Sequence, residues 1–219
     1  MSNDTRADKH VVGTLRSVDG TGVVRMEDRY DTGIDDLWSA LTEPDRLARW
    51  IADVQGDLRV DGEFHASFTS GWEGAGRVDM CEPPRRLRVT LSPGQQDQTV
   101  IEAELVAEGD QTSLAVEERG LPLDELAAHG AGWQAHVEDL AAHLAGRERA
   151  DWRTRWSELT PSYREQAEDC GEHGVGATGV IASSESPTAR SSPVTRICRV
   201  GARSAHWRSR EFCGVERPV

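Results

Sequence analysis

Lysine is almost missing from this chain: Lys9 is the only one among 25 basic residues, and the excess of arginine reflects genome composition rather than a binding role. Acidic side chains number 38, for a formal net charge of −13. Such a composition does not supply the basic face that phosphate neutralisation needs, which argues against general nucleic-acid binding and against attraction to an anionic membrane surface. No stretch approaches the roughly 18 apolar residues of a membrane span. The opening MSNDTRADKH also has no apolar h-region, so a cytoplasmic location is expected. Cysteine is scarce, with Cys81 alone in the well-patterned part and Cys170, Cys198 and Cys213 near the end, which is not the pattern of a disulfide framework. Tyrosine (two) and phenylalanine (three) are few as well, yet there are seven tryptophans. Two of these, Trp38 and Trp50, stand in one short charged stretch, DDLWSALTEPDRLARW.

A chain of 219 residues has room for one domain of ordinary size plus an appendage, and for a core that needs neither metal nor disulfide staples. Charge locates the boundary. From Cys170 onward four acidic residues meet seven arginines, a net of +3, so residues 1–169 carry −16. The GEHGVGATG and ASSESPTARSSP stretches have no sustained apolar period and too little apolar area to offset the entropy of ordering. The expected organisation is a flexible 1–10, one domain over 11–169 and a disordered tail over 170–219.

Hydrophobic period gives the architecture. Val23 to Tyr30 alternates, with Val24 and Met26 on one face and Arg25 and Glu27 on the other, as in a half-buried strand. Thr14 to Val18, followed by Asp19-Gly20, reads as a hairpin lead-in. Ile34, Leu37, Trp38 and Leu41 fall at i, i+3, i+4 and i+7 and predict a helix, with Thr32 and Asp35 spaced as its capping box. Thr42 is placed to cap a second helix, with Pro44 in its first turn and Leu47, Trp50 and Ile51 as its stripe. Six strand signals follow, at Leu58 and Val60, Phe64 to Phe68, Gly76 to Met80, Leu87 to Leu91, Ile101 to Leu105, and Leu114 with Val116. Leu126, Gly130, Trp133, Val137, Leu140 and Leu144 then repeat at steps of four and three, predicting a long helix from about Leu123 to Gly146. Trp152, Trp156 and Leu159 mark a shorter helix over Asp151 to Glu168. The expected fold is α+β: a seven-stranded antiparallel curved sheet wrapped around a long C-terminal helix, with two short helices after the first strand.

This order, and three stretches in particular, resemble a known family. GVVRMEDRYDTGIDDLWSALTEPDRLARWIADVQGDLRVDGEF, GRVDMCEPPRRLRVTL and GWQAHVEDLAAHL are similar to the START-like (SRPBCC) helix-grip superfamily, in the branch named after the activator of heat-shock-protein-90 ATPase. The resemblance covers residue 11 to about 168. Its most specific parts are W-x-A-L-T-x-P-x-x-L-x-x-W from Trp38 to Trp50 and E-P-P-R-R-L from Glu82 to Leu87, which mark scaffold positions and carry no chemistry. Gly33 stands where the family usually has a proline, and the tail from Cys170 matches nothing in it.

The resemblance implies a deep apolar pocket between the curved sheet and the long helix, roofed at one end by the two short helices. Alternation makes Phe64, Phe68, Met80, Leu91, Ile101, Trp133, Val137 and Leu140 the pocket candidates, each of them equally readable as plain core. Room is left for a cavity by Gly130 and Gly132 on the helix. Trp38 is expected in the core and Trp50 near the mouth; the plainer reading makes both core. Trp72 belongs either to a turn at the entrance or to an exposed hairpin tip.

Continuing the alternation from Met26 and from Val116 turns Asp28 and Glu118 inward. Two carboxylates in an apolar pocket make an acid and a base available for enolisation or cyclisation. The alternative is a solvated ion-pair cluster with Arg29 and Arg119. His129, His136 and His143 are spaced about 10 Å apart along a helix, too far to share an ion, and are placed beside the apolar stripe. Cys170, His173, Cys198, His206 and Cys213 lack the paired short spacings of a zinc site. With no G-x-S-x-G and no Walker A loop, neither metal nor cofactor is expected.

Three functions stay open. One is a binding protein for a small apolar ligand (lipid, polyketide or aromatic). The second is a polyketide cyclase or aromatase-like enzyme acting on such a ligand. The third is a co-chaperone-like partner of a chaperone or other protein, a stress-response role implied by the branch name alone.

Overall fold

The computed structural model describes residues 13–172, so the readings for 1–10 and for all but the first three residues of the tail lie outside them. Eight strands form one antiparallel sheet: β1 (Gly13–Val18), β2 (Thr21–Tyr30), β3 (Ala52–Gly56), β4 (Glu63–Phe68), β5 (Glu73–Glu82), β6 (Arg86–Leu91), β7 (Thr99–Glu108) and β8 (Gln111–Leu121). Their spatial order is β1-β2-β8-β7-β6-β5-β4-β3, a meander whose last strand closes onto the second. Helices α1 (Ile34–Thr42) and α2 (Pro44–Leu47) lie between β2 and β3, and α3 (Leu126–Leu144) and α4 (Trp152–Glu172) follow β8. Among the described residues no helix is long and apolar enough to cross a membrane.

The eighth strand is the one read as a hairpin lead-in. Asp19 and Gly20 take φ of 50° and 80°, which closes a two-residue hairpin and pairs all of β1 with β2. The Leu58 and Val60 signal is no strand. The Asp57 carboxylate accepts the Arg59 backbone N–H at 3.2 Å, and the Gly62 N–H bonds to the Arg59 carbonyl at 2.8 Å, so the chain turns here. The pairing falls instead to Ala52–Gly56, whose Ala52 and Val54 face the core. Leu58 is buried under the turn and Val60 is exposed.

The two short helices form as patterned, but their ends differ. Thr32 hydroxyl donates to the Asp36 carboxylate at 2.7 Å and no side chain caps Gly33. Thr42 ends α1 and back-bonds to the Trp38 carbonyl at 2.8 Å; Glu43 precedes α2, which is a single turn. Pro44 has no N–H, so it cannot serve the Ala40 carbonyl four residues before it. Trp50 does so instead, its indole N–H donating to Ala40 O at 2.9 Å. Trp38 and Trp50 are thus both core residues, 9% and 2% exposed, and Trp50 fastens the two helices together from inside rather than lining a mouth.

Helix α3 packs closely on β1 and β2 and against α4. Leu123 to Glu125 form a turn before it, so it is shorter than the period suggested. Helix α4 is anchored at both ends of this contact. Arg155 grips Glu138 with two hydrogen bonds of 2.6 and 2.8 Å. The buried Tyr163 hydroxyl donates to Gln134 Oε1 at 2.9 Å and accepts the Gly13 N–H at 3.2 Å, while Gln166 donates to the Gly13 carbonyl at 3.2 Å. The open backbone groups at the start of edge strand β1 are thereby satisfied.

Candidate functional site

Over strands β4 to β8, where α3 does not press on the sheet, a cavity of about 420 Å³ opens toward α4. This is within the range of pockets that hold drug-sized molecules, roughly 300 to 1,000 Å³. Phe68, Leu91, Thr99, Ile101 and Glu118 form its floor; His129, Gly132, Trp133 and His136 come from α3. Helix α4 supplies Trp152, Arg153 and Trp156, and Ser70, Trp72, Asp97 and Glu125 lie at its edges. A second, wholly apolar void of about 90 Å³ lies deeper under the roof, against Leu41, Leu47, Trp50 and Phe64. Phe68, Leu91, Ile101 and Trp133 wall both spaces.

The pocket candidates therefore divide. Phe68, Trp72, Leu91, Ile101 and Trp133 line the larger cavity, with the Trp72 ring edge-on to Phe68 at 5.3 Å rather than at an exposed tip. Trp50 and Phe64 line only the deeper void, the Phe64 ring lying flat over its cross-strand partner Gly76, where a Cβ would stand 2.3 Å from ring carbon Cζ. Met80, Val137 and Leu140 line neither. The register shift between Val78 and Met80 breaks the alternation and leaves Met80 half-exposed. Val137 and Leu140 are buried core, the former with its carbonyl accepting the Tyr30 hydroxyl. Gly132 faces the cavity, whereas the space beside Gly130 is taken by α4.

Asp28 and Glu118 do not come together. In the β2–β8 register Glu118 faces Val24, four residues from Asp28, or about 13 Å along the strand. Asp28 is exposed, its carboxylate turned back onto the Arg29 N–H at 2.8 Å. Glu118 is 5% exposed and fully served, so it is not part of a solvated cluster with Arg119. Its Oε2 accepts Trp133 Nε1–H at 2.7 Å and meets His129 Nδ1 at 3.3 Å, and its Oε1 accepts the Thr99 hydroxyl at 2.9 Å. Burial alone raises a carboxylate's pKa, but these three partners, His129 foremost, hold Glu118 below the usual range. His129 responds in the other direction: burial pulls it down, and Glu118, backed by Glu125, lifts it above the ordinary imidazole value.

Four aromatic rings crowd the α4 side. Trp152 stacks on Trp156 at 6.1 Å, and the His136 ring lies 5.5 Å from Trp152 and 6.1 Å from Trp133. Burial drives the His136 pKa down to about 4, although its ring is hydrogen-bonded to the Trp50 backbone. That bond leaves Nδ1 as a lone acceptor with no partner, and Trp152 Nε1–H is likewise buried without one. Trp156 differs, donating to the Ala128 carbonyl at 3.0 Å.

By sequence pattern His129 and His136 flank the apolar stripe, and α4 is a helix packed alongside. Yet His129, Trp133 and His136 stand at i, i+4 and i+7, the spacing of a single helical face, so the signal was present. His143, two turns further along the same face, does not line the cavity and accepts a hydrogen bond from Arg46 Nε at 3.3 Å. Among the described residues no three His, Cys, Asp or Glu side chains gather as a metal would need.

The model of one protein family, described as activator of Hsp90 ATPase homolog 1-like protein, matches residues 31–145. Among solved structures, CalU16 from Micromonospora echinospora is similar at 26% identity and a TM-score of 0.59, covering 71% of this chain and 96% of its own. DynU16, from the dynemicin biosynthetic locus, is 28% identical at a TM-score of 0.53, over 59% of this chain and 50% of its own. EF2215 from Enterococcus faecalis, at 19% identity and a TM-score of 0.59 over 72% and 91%, shares the fold. No curated protein matches the sequence.

Proposed function

The chain belongs to the activator of Hsp90 ATPase homolog 1-like family, with the helix-grip fold, and from that premise we propose that it binds a small, flat, largely apolar ligand bearing a hydroxyl group. The observation that carries this reading is a pair of buried polar atoms without partners, His136 Nδ1 and Trp152 Nε1, on two residues of the cavity wall whose tilted rings lie 5.5 Å apart. A buried polar group left unsatisfied costs roughly 1 to 3 kcal/mol, so such groups in a folded protein call for a partner. One hydroxyl answers both, donating to the imidazole nitrogen and accepting from the indole N–H. The surrounding tryptophan, phenylalanine and leucine faces suit an aromatic body.

Isothermal calorimetry with 2-naphthol and naphthalene tests this. Both rings should bind through apolar area, and 2-naphthol should bind more tightly by about tenfold, the effect of roughly one net hydrogen bond. Equal affinities would remove the hydroxyl from the reading. Failure of both to bind would end it and leave the protein-partner role that the family name suggests.

A further inference from the structure

We propose that Glu118 and His129 form an acid–base pair that removes a proton from the aromatic ligand held in this cavity, with His129 Nε2 as the base and Glu118 as the residue that positions it. The inference rests on the ligand-binding reading above but asks for chemistry that binding alone does not require.

The assignment of roles follows from hydrogen-bond bookkeeping. Indole is a donor only, so Glu118 Oε2, which takes the Trp133 N–H, acts there as an acceptor. The Thr99 hydroxyl donates to the other oxygen, and a carboxylate with this many donors keeps its charge. His129 Nδ1 faces that acceptor oxygen at 3.3 Å and must therefore carry the hydrogen. The proton that comes and goes is then the one on Nε2. The side chain of His129 is 35% exposed and belongs to the cavity lining, which leaves its outer nitrogen open to a ligand in our reading. It lies 3.7 Å from Glu125 Oε2, on a side chain that is mostly exposed.

The charged groups around it come from every side. Glu118 on β8, Glu125 before α3 and Asp97 before β7 line the cavity, with Arg153 of α4 the one guanidinium, so the imidazolium formed by proton uptake meets a net negative surround. His136, two turns along α3, holds the other end of the ligand about 10 Å away, a span that a two- or three-ring molecule covers. The step balances without a redox partner. Nε2 takes a proton from a carbon acid, the C–H electron pair moves into an adjacent carbonyl or expels a leaving group, and the imidazolium returns its proton to a neighbouring atom or to water.

The probe is 5-nitrobenzisoxazole, an aromatic carbon acid. Loss of its ring C–H proton breaks the N–O bond and releases a coloured cyanonitrophenolate, so proton transfer to the base is read directly. Wild-type protein should turn it over saturably, at a rate that rises as pH climbs through the titration of His129. His129→Gln should lose about 10²-fold or more. Glu118→Gln should slow the reaction and move the profile to lower pH, because the imidazole loses its charged partner. Calorimetry with 2-naphthol on each variant checks that the cavity is intact. If 2-naphthol binds wild type but turnover does not exceed that of equimolar free imidazole, or if His129→Gln keeps the wild-type rate and profile, the pair is structural and the proposal falls while the binding reading stands. If 2-naphthol does not bind at all, both fall together.

Discussion

Gly130 of α3 lies so close to Tyr163 of α4 that a Cβ at residue 130 would stand 2.5 Å from the tyrosine ring carbon Cδ1 and 2.9 Å from the Leu15 methyl Cδ2. The glycine is there for the approach of two helices and the edge strand. Gly130→Ala must push Tyr163 away from Gln134 and Gly13, so we expect it to destabilise the fold by about 1 to 3 kcal/mol despite alanine's better helix propensity. Urea denaturation measures this, and a variant as stable as wild type would show that α4 is not held by this contact.

The roof should be equally sensitive at its two tryptophans. Both are buried, so Trp38→Ala and Trp50→Ala should each cost about 3 to 5 kcal/mol. Trp50→Phe separates packing from bonding. It keeps a ring but strips the Ala40 carbonyl of the donor that Pro44 cannot provide, for a loss of about 1 to 3 kcal/mol. A harmless Trp50→Phe in thermal melts would mean that the indole N–H is not needed there.

Proton linkage gives an opposing pair. His136 has a pKa of about 4 folded, against about 6.5 unfolded, so the unfolded chain takes up the proton first. Its contribution is complete above pH 6.5 and is lost as pH falls toward 4, by up to about 3 kcal/mol. Asp139, raised by burial to about 6, binds its proton more tightly when folded and contributes in the other sense, losing stability as pH rises from about 4 to 6. The two oppose each other in wild type. The stability difference between wild type and His136→Phe isolates the histidine, and it should shrink as pH is lowered from 6.5 to 4; a difference that does not vary with pH would contradict a buried neutral imidazole.

Glu118 depends on Trp133 in the same measurable way. Trp133→Phe preserves most of the ring but removes the 2.7 Å donor, leaving a buried carboxylate with two partners. Hydrogen bonds to charged groups contribute about 1.5 to 3 kcal/mol, so a loss of that order at pH 7 is expected. Adding Glu118→Gln should recover part of it, because an amide tolerates the missing donor better than a charge does. Additive losses in the double variant would argue against direct coupling.

Alternation alone was enough to turn Glu118 inward and to find most of the cavity floor, since a strand's faces are fixed by a period of two. It failed wherever the backbone departs from that period. The bulge after Val78 removed Met80, and the turn at Asp57 to Gly62 imitated a strand at Leu58 and Val60. At Asp28 the face was extrapolated to a point where a short carboxylate finds its own backbone and solvent. The α4 side was hidden for another reason: whether Trp152 and Trp156 meet His136 depends on a tertiary contact between two helices, which no period within either one encodes. The family model likewise ends at residue 145, before the tryptophans that close the cavity.

Those tryptophans permit a prediction in which stability and binding move apart. Trp152→Phe keeps an aromatic ring beside His136 and Trp156 but deletes an indole N–H that is buried without a partner. Removing an unsatisfied donor takes away a desolvation cost, so the ligand-free variant should be as stable as wild type or more so, by up to about 1 kcal/mol once the smaller ring's lost packing is deducted. Affinity for 2-naphthol should nevertheless fall and its lead over naphthalene should narrow, because the ligand hydroxyl keeps its bond to His136 Nδ1 but no longer accepts the indole N–H. Trp156→Phe is the control. Its N–H already bonds the Ala128 carbonyl, so that change should lower stability and leave the preference for 2-naphthol in place. A Trp152→Phe protein that is clearly less stable yet keeps the full wild-type preference for 2-naphthol would show that the indole nitrogen serves the fold and not the ligand.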